Sequence, residues 1–123
     1  MSTIVDIDGT LLRNGNQPIK RVIEYVNSLP GSIIIVTGRP QSARKETVAA
    51  LRNAGVKYSR LIMNPGSSAE TAKYKYEVGK RLRSQVSLAI DNNPTMRAAY
   101  AKAGIPTKDP AHLPDMKKFW TIQ

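Results

Sequence analysis

The first twelve residues, MSTIVDIDGTLL (1–12), carry an apolar run that leads directly into two aspartates, Asp6 and Asp8. Residues 3–7 have the apolar, β-branched composition of a short buried strand. The chain has nine acidic residues against nineteen basic ones, so an acid pair directly behind a strand requires a chemical explanation. This stretch predicts a strand that delivers two carboxylates to the loop at its carboxyl end.

The rest of the chain alternates strand-like and helix-like segments. Further strands are predicted at residues 32–36, 58–63 and 86–90, helices at 18–29, 42–54, 69–84 and 93–102, and loops at 8–17, 37–40 and 64–68. This alternation predicts an α/β fold with a parallel sheet and right-handed crossovers, in three layers with helices on both faces. At 123 residues, we expect a single domain that spans residues 1–123.

Composition excludes several kinds of chemistry. The chain has no cysteine, which rules out disulfides, thiolate metal sites and thiol nucleophiles and suits a reducing compartment, so we expect a cytoplasmic protein. No apolar run approaches the roughly 18 residues of a membrane span, and we expect no signal peptide and no membrane association. The formal net charge of +10 favours polyanionic partners, nucleic acid above all, although a solubility charge or a small anionic substrate also fits it.

Polar residues gather where the predicted strands end. Of five aspartates, Asp6, Asp8 and Asp91 fall at such ends, and Thr37 follows the second strand. Sites in open parallel sheets form beyond the carboxyl ends of the strands. Because clustered carboxylates repel one another, a fold that gathers them needs a cation, and an all-oxygen ligand set points to Mg²⁺.

An acid pair of this kind suits phosphoryl transfer. One carboxylate beside Mg²⁺ can attack phosphorus and form an aspartyl-phosphate, because the metal screens the charge of the phosphate. A second carboxylate two residues later points to the same side if the backbone stays extended, and it can move the protons. Gly9 lets the backbone approach a phosphate, and Thr10 adds a hydroxyl. The alternative is a turn or capping role for Asp8 and Gly9.

At this point the chain resembles the haloacid dehalogenase-like (HAD) phosphatases. DIDGTLL (6–12) is similar to their motif one, IIIVTGR (33–39) to motif two, a lysine after the third strand to motif three, and LAIDNNP (88–94) to motif four. The four motifs fall in the family's order over about residues 3–105. The resemblance implies the Rossmann-like fold of that family. Motif one is the most specific of the four, and the others are informative only together.

The resemblance also implies a role for each matched residue. Asp6 would be the nucleophile and a Mg²⁺ ligand, and Asp8 would be the general acid and base, with its main-chain carbonyl as a further metal ligand. Thr37 and Gly38 would hold the phosphoryl oxygens, and Asp91 would bind the metal. Many members have a second acid after the motif-four aspartate, whereas this chain has Asn92, which can hold a metal-bound water without adding charge.

Two lysines compete for the motif-three role, which is to neutralise the phosphate as a point charge. Val78 and Leu82 follow Lys75 at helical spacing and would face the core beneath it. Lys73 has Tyr76 and Lys80 at the same offsets, a poorer inward face. The periodicity therefore favours Lys75, and a solvated helix face is the alternative for either lysine.

The segments between the motifs are too short for the cap domain that closes over small substrates in many family members. We therefore expect an open site that admits large substrates. Residues 37–65 and 88–106 resemble the phosphatase domain of bacterial and phage polynucleotide kinases, a group that removes 3′-terminal phosphates from nucleic acids. This implies that Arg39 and Arg44 lie near the substrate. That group usually has an arginine where Asn64 stands here, so one expected contact is absent.

These observations predict a Mg²⁺-dependent phosphohydrolase that acts on nucleic-acid 3′-ends. The alternatives are a phosphatase for nucleotides or other small metabolites and a non-catalytic nucleic-acid-binding module on the same fold. The sequence distinguishes neither DNA from RNA nor a 3′-end from a 5′-end, and it does not determine the oligomeric state. A tail of Lys117, Lys118, Phe119 and Trp120 is interpreted as a core anchor, with base stacking as the alternative.

Overall fold

The computed structural model describes residues 1–116, so the interpreted tail at 117–120 lies outside the described residues. The strands are β1 (Ser2–Val5), β2 (Leu12–Arg13), β3 (Gln17–Pro18), β4 (Ile33–Pro40), β5 (Arg60–Asn64), β6 (Val86–Ile90) and β7 (Thr107–Lys108). The helices are α1 (Lys20–Ser28), α2 (Arg44–Asn53), α3 (Thr71–Leu82) and α4 (Pro94–Lys102). Short 3₁₀ turns occur at Gln41–Ala43, Ser68–Glu70, Arg83–Gln85 and Pro110–His112.

Five strands form one parallel sheet in the order β5-β4-β1-β6-β7, which confirms the predicted α/β architecture. The central strand, β1, pairs with β4 on one side and β6 on the other, and Val5 lies opposite both Ile35 and Ile90. The backbone N–H of Asp6 donates to the Ile90 carbonyl at 3.0 Å. Because of this register, Asp6 and Asp91 leave neighbouring strands side by side.

Helices cover both faces of the sheet and make three layers. Adjacent residues of β1 point to opposite faces, so Val5 packs with α1 and α2 while Ile4 packs with α3 and α4. Each face encloses an apolar core, and burial of each large aliphatic side chain contributes about 1.5–3 kcal/mol. The helical layers therefore fix the sheet, and through it the loops at its carboxyl edge.

Besides shifts of one or two residues at the ends of most elements, the structure differs from the sequence-based elements at three places. The predicted loop at 37–40 continues β4, with a register shift against β5 between Thr37 and Pro40. The predicted loop at 8–17 contains the hairpin β2–β3, whose turn has positive φ at Asn14, Gly15 and Asn16. The two-residue edge strand β7 was not predicted. Two-residue strands are set by their partners, so their own composition carries little signal.

No cap is present among residues 1–116: only the short hairpin and α1 lie between β1 and β4. Within the same described part of the chain, no helix combines the length and apolar character that crossing a membrane requires.

Candidate active site

Lys75 joins two carboxylates at the carboxyl edge of the sheet. Its ammonium Nζ donates to Asp6 Oδ1 at 2.8 Å and to Asp91 Oδ2 at 2.6 Å. The Lys75 side chain is only 2% exposed, because it lies on the inward face of α3 with Val78 and Leu82, whereas Lys73 is exposed. Of the two candidate lysines, the structure thus brings Lys75 to the carboxylates.

The electrostatics of this cluster are set by burial. Burial raises the pKa of Asp6 to about 6; Lys75 opposes this shift and the negative charge of Asp91 adds to it. For Lys75, burial alone would lower the pKa, but the two carboxylates outweigh it and the pKa lies above its ordinary value. The ammonium therefore stays charged and offsets the repulsion between the two acids.

Thr10 and Gly9 shape the loop behind β1 around Asp6. The Thr10 hydroxyl donates to Asp6 Oδ2 at 3.1 Å and accepts from the backbone N–H of Asn92 at 3.2 Å. Gly9 has φ +80°, and a Cβ there would overlap the Asn92 amide. A side chain at position 9 would therefore be strained in its backbone and would push Asn92 away from the site.

The polar atoms of this loop also fit a divalent cation. One end of the Asn92 amide lies 2.9 Å from the Asp8 carbonyl oxygen and 3.1 Å from Asp6 Oδ2. With its nitrogen there, the amide donates to both oxygens. With its oxygen there, the amide would add an oxygen beside the Asp8 carbonyl and an Asp6 carboxylate oxygen, and oxygens are the ligands that Mg²⁺ prefers. The loop thus brings hard ligand atoms besides the carboxylates of Asp6 and Asp91.

Carboxylates alone do not supply such a set. Within residues 1–116, no three acidic or histidine side chains are grouped closely enough to hold a metal ion. Lys75 occupies the position between Asp6 and Asp91, and the Asp8 carboxylate turns elsewhere. A metal at this edge would rely on a main-chain carbonyl and an amide besides the carboxylates.

Asp8 does not share the environment of Asp6, contrary to the expectation from an extended backbone. Its side chain is 62% exposed and pairs with Arg39, whose Nε and a terminal nitrogen donate to the two carboxylate oxygens at 3.0 and 2.8 Å. The difference arises because β1 ends at Val5 and the chain then turns through Gly9. Arg39 also donates to Asn16 Oδ1 at 2.6 Å, which ties the end of β4 to the hairpin.

The remaining predicted substrate contacts divide into two groups. Thr37 is fully buried, and its hydroxyl accepts from the backbone N–H of Arg39 at 3.1 Å. Gly38 lies so close to Thr71 that a Cβ there would approach the threonine methyl to 2.9 Å. Arg44 instead donates to the Leu61 carbonyl at 3.2 Å and covers the edge strand β5. The structure does not bring Arg44 to the cavity over Asp6.

An open cavity of about 200 Å³ lies over the acidic residues. Its lining consists of Asp6, Asp8, Gly38, Thr71, Lys75, Asp91, Asn92, Asn93 and Met96. Thr71, Asn93 and Met96 were not predicted. Thr71 precedes Lys75 by one helical turn and was therefore detectable from spacing, and Asn93 is the N-cap of α4. No sequence signal identifies Met96.

Asn64 has a structural role in the position where the polynucleotide kinase group usually has arginine. It is 2% exposed, and its amide donates to the Ser67 carbonyl at 3.0 Å and accepts from the Gly66 N–H at 2.9 Å. The side chain thus holds the turn between β5 and α3 and is not directed into the cavity over Asp6.

Comparison with known protein families places the chain in one of them. A family model described as HAD superfamily, subfamily IIIB (acid phosphatase), matches residues 14–92, which is more than half of the chain. The chain belongs to this HAD family. The match includes Thr37, Lys75 and Asp91 and begins after Asp6 and Asp8. No curated protein sequence matches the chain.

Two solved structures show the same fold. A chain of "Structure of the Pnkp1/Rnl/Hen1 RNA repair complex" is similar with a TM-score of 0.71 and 19% identity, over 88% of this chain and 41% of that chain. A chain of "Structure of Pnkp1/Rnl/Hen1 complex" is similar with a TM-score of 0.63 and 18% identity, over 88% and 45%. The present chain therefore spans less than half the length of either structural neighbour.

Proposed function

We propose that this HAD-family protein is a Mg²⁺-dependent phosphomonoesterase with Asp6 as its nucleophile. One observation carries the proposal: the buried Lys75 ammonium contacts both Asp6 and Asp91 at the floor of an open cavity. A structural ion pair has no need of a third charged group or of access to solvent. A phosphate that enters the cavity would meet a nucleophilic carboxylate and a fixed positive charge together.

The steps follow from the positions of these residues. A carboxylate oxygen of Asp6 attacks phosphorus, and the bond from phosphorus to the ester oxygen breaks. That oxygen takes a proton from Asp8, which enters the cycle protonated after it has left Arg39. A water then attacks the aspartyl-phosphate and gives its proton to Asp8, which releases phosphate and restores Asp6. Asp8 must leave its pair with Arg39 to perform these transfers, and its exposed position on the rim leaves it room to rotate.

The metal would be held by the side chains of Asp6, Asp91 and Asn92 and by the main-chain carbonyl of Asp8. Bound Mg²⁺ supplies charge that offsets the repulsion between an anionic nucleophile and an anionic substrate. Lys75 would then place its charge on the phosphoryl oxygens, and Thr37 and Gly38, near the carboxyl end of β4, would contact the same group.

We further propose that the substrate is the phosphorylated 3′-end of a nucleic acid. Three observations support this: the net charge of +10, the absence of a cap over the cavity within residues 1–116, and fold neighbours that come from RNA repair complexes. An uncapped cavity admits the end of a polymer, and surplus positive charge attracts the phosphates next to it. RNA is accordingly the first polymer to test.

The test is phosphate release from four substrates with and without Mg²⁺. They are a 3′-phosphorylated RNA, the same RNA phosphorylated at its 5′-end, the DNA equivalent of the first, and a generic aryl phosphate. We expect phosphate release to depend on Mg²⁺ for every substrate that reacts, and we expect the highest kcat/KM for the 3′-phosphorylated RNA. Equal or faster turnover of the 5′-phosphorylated RNA would contradict the assignment of the end.

A second candidate is a phosphatase for small molecules, which the acid-phosphatase family favours. It predicts that the aryl phosphate and mononucleotides react at least as well as the oligonucleotides. The remaining alternative, a non-catalytic nucleic-acid-binding module, predicts oligonucleotide binding without phosphate release from any of the four substrates.

A further inference from the structure

A second and larger cavity, of about 350 Å³, lies beside the one over Asp6. We call it the β5–α3 groove: it runs between the edge strand β5 and the side of α3 that faces away from α4. Its apolar wall includes Ile62 and Val78, Gln41 brings a side-chain amide, and among residues 1–116 the aromatic lining residue is Tyr74. None of these residues has a part in the chemistry derived above.

The groove and the cavity over Asp6 are neighbours across the first turn of α3. Thr71 lines the cavity, Asn64 lines the groove, and the Asn64 amide lies 3.5 Å from the Thr71 hydroxyl. Tyr74, which lines the groove, directly precedes Lys75, which lines the cavity. The side chains of Asn64 and Thr71 thus stand between the two openings, and a ligand that spans this residue pair would contact Lys75 and the groove together.

The chemistry of the groove differs from that of a phosphate site. Two cations, Lys73 and Arg81, line it together with two anions, Glu70 and Glu77, so their formal charges cancel. Such a lining does not favour a second phosphate, because the carboxylates would repel it. An apolar wall, an aromatic ring and the Gln41 amide together suit a planar, uncharged ring that offers hydrogen-bonding edges.

Tyr74 offers its ring and not its hydroxyl. The hydroxyl is buried and makes no hydrogen bond among the described residues, whereas the residue as a whole is half-buried and lines the groove. Stacking of a base on an aromatic ring tolerates any base, which suits an enzyme that acts on ends of varied sequence.

We propose that the β5–α3 groove binds the nucleoside that carries the terminal phosphate, with its base against Tyr74. This inference rests on the proposed function, because it assigns the part of the nucleic-acid substrate next to the reacting phosphate. It makes Tyr74 a specificity residue: it would bind substrate, and it would not take part in the chemistry.

The first test compares kcat/KM on a 3′-phosphorylated RNA with kcat/KM on an aryl phosphate. In Tyr74→Leu, we expect this ratio to fall about tenfold through a higher KM for the RNA. Tyr74→Phe keeps the ring and should retain the ratio of the wild-type protein. Tyr76→Leu is the matched control, because Tyr76 is also a half-buried tyrosine of α3 but lies beside Lys102 of α4, away from the groove. An unchanged ratio in Tyr74→Leu would overturn the proposal.

A binding experiment separates a failure of this inference from a failure of the proposed function. A nucleoside 3′-monophosphate is added to the wild-type protein in EDTA, and the methyl signals are followed by NMR. We expect shifts at Ile62 and Val78, and none at Val22 and Val26, which pack on the other face of the sheet. Shifts in EDTA, together with no phosphate release from a 3′-phosphorylated RNA in Mg²⁺, would refute the proposed activity and keep the groove assignment. Release from the RNA in Mg²⁺ without shifts at Ile62 and Val78 in EDTA would refute the groove assignment and keep the proposed activity.

Discussion

Lys75 and Asp6 form a buried ion pair, with 2.8 Å between the ammonium nitrogen and Oδ1, and the same ammonium lies 2.6 Å from Asp91. Two carboxylates thus share a single positive charge at the carboxyl edge of the sheet. With both carboxylates ionised, the cluster has one more negative charge than positive charge, so it can accept a further cation. We infer that it is poised to bind a metal ion, with Lys75 then free to contact a phosphate.

Replacement of Lys75 by Met should destabilise the metal-free protein strongly. It would leave two buried carboxylates without their cation, and removal of one partner of a buried pair costs about 3–5 kcal/mol. Lys73→Met is the matched control on the exposed side of α3 and should change the free energy of unfolding by no more than about 0.5 kcal/mol. Denaturant unfolding in EDTA measures both, and equal effects of the two substitutions would show that the ion pair adds little.

A charge at position 92 should strengthen metal binding. Asn92→Asp adds a carboxylate where the amide now approaches the Asp8 carbonyl and Asp6, and we expect Mg²⁺ to bind about tenfold more tightly. Asn93→Asp is the control, because that side chain caps α4 and aspartate caps a helix equally well. Calorimetric titration with Mg²⁺ distinguishes them. Weaker binding by Asn92→Asp would mean that position 92 does not face the metal.

The stability of the metal-free protein should depend on Asp6 between about pH 4 and 6. Burial raises the pKa of Asp6 from 3.8 to about 6, so in this interval the folded protein binds more protons than the unfolded chain. The contribution of Asp6 to the free energy of unfolding therefore falls as pH rises, by up to about 3 kcal/mol. Asp6→Asn mimics the protonated form and lacks this fall. Denaturant unfolding of both proteins in EDTA across this pH range measures the difference in their free energies of unfolding. The prediction is contradicted if the wild-type protein gains stability relative to Asp6→Asn as pH rises.

Asp8→Asn should separate the two halves of the reaction. An aryl phosphate has a good leaving group and needs little help from an acid, so Asp6 should still be phosphorylated. The second half needs a base for the water, and the aspartyl-phosphate should therefore accumulate. Intact-protein mass spectrometry after rapid acid quenching would detect the mass of one added phosphoryl group. A variant that turns over as fast as the wild-type protein would exclude Asp8 from proton transfer.

Much of the fold could be predicted because it depends on local patterns. The apolar, β-branched segments gave β1, β4, β5 and β6, and β6 has the predicted bounds. The helical spacing of Val78 and Leu82 also predicted which lysine is buried. These features depend on which face of an element is apolar, and that information lies within a few neighbouring residues.

The rest depends on contacts between distant segments. The Asp8–Arg39 pair joins the loop after β1 to the end of β4, 31 residues later, and no local pattern encodes it. The hairpin β2–β3 relies on positive φ at two asparagines, which the sequence allows without requiring. The turn away from extended backbone after Val5 is likewise set by the loop as a whole. It gives Asp8 a partner of its own in Arg39, although Asp6 and Asp8 line the same cavity. The catalytic and metal-binding roles of these residues remain predictions.

The most direct measurement compares the wild-type protein with Asp6→Asn in phosphate release from a 3′-phosphorylated RNA, each with Mg²⁺ and with EDTA. We predict release by the wild-type protein only in Mg²⁺, and a rate lower by on the order of 10³-fold or more in Asp6→Asn. Binding of the RNA by Asp6→Asn, measured alongside, should persist, since only the nucleophile has changed. Release by Asp6→Asn at the wild-type rate would contradict the central claim that Asp6 attacks phosphorus.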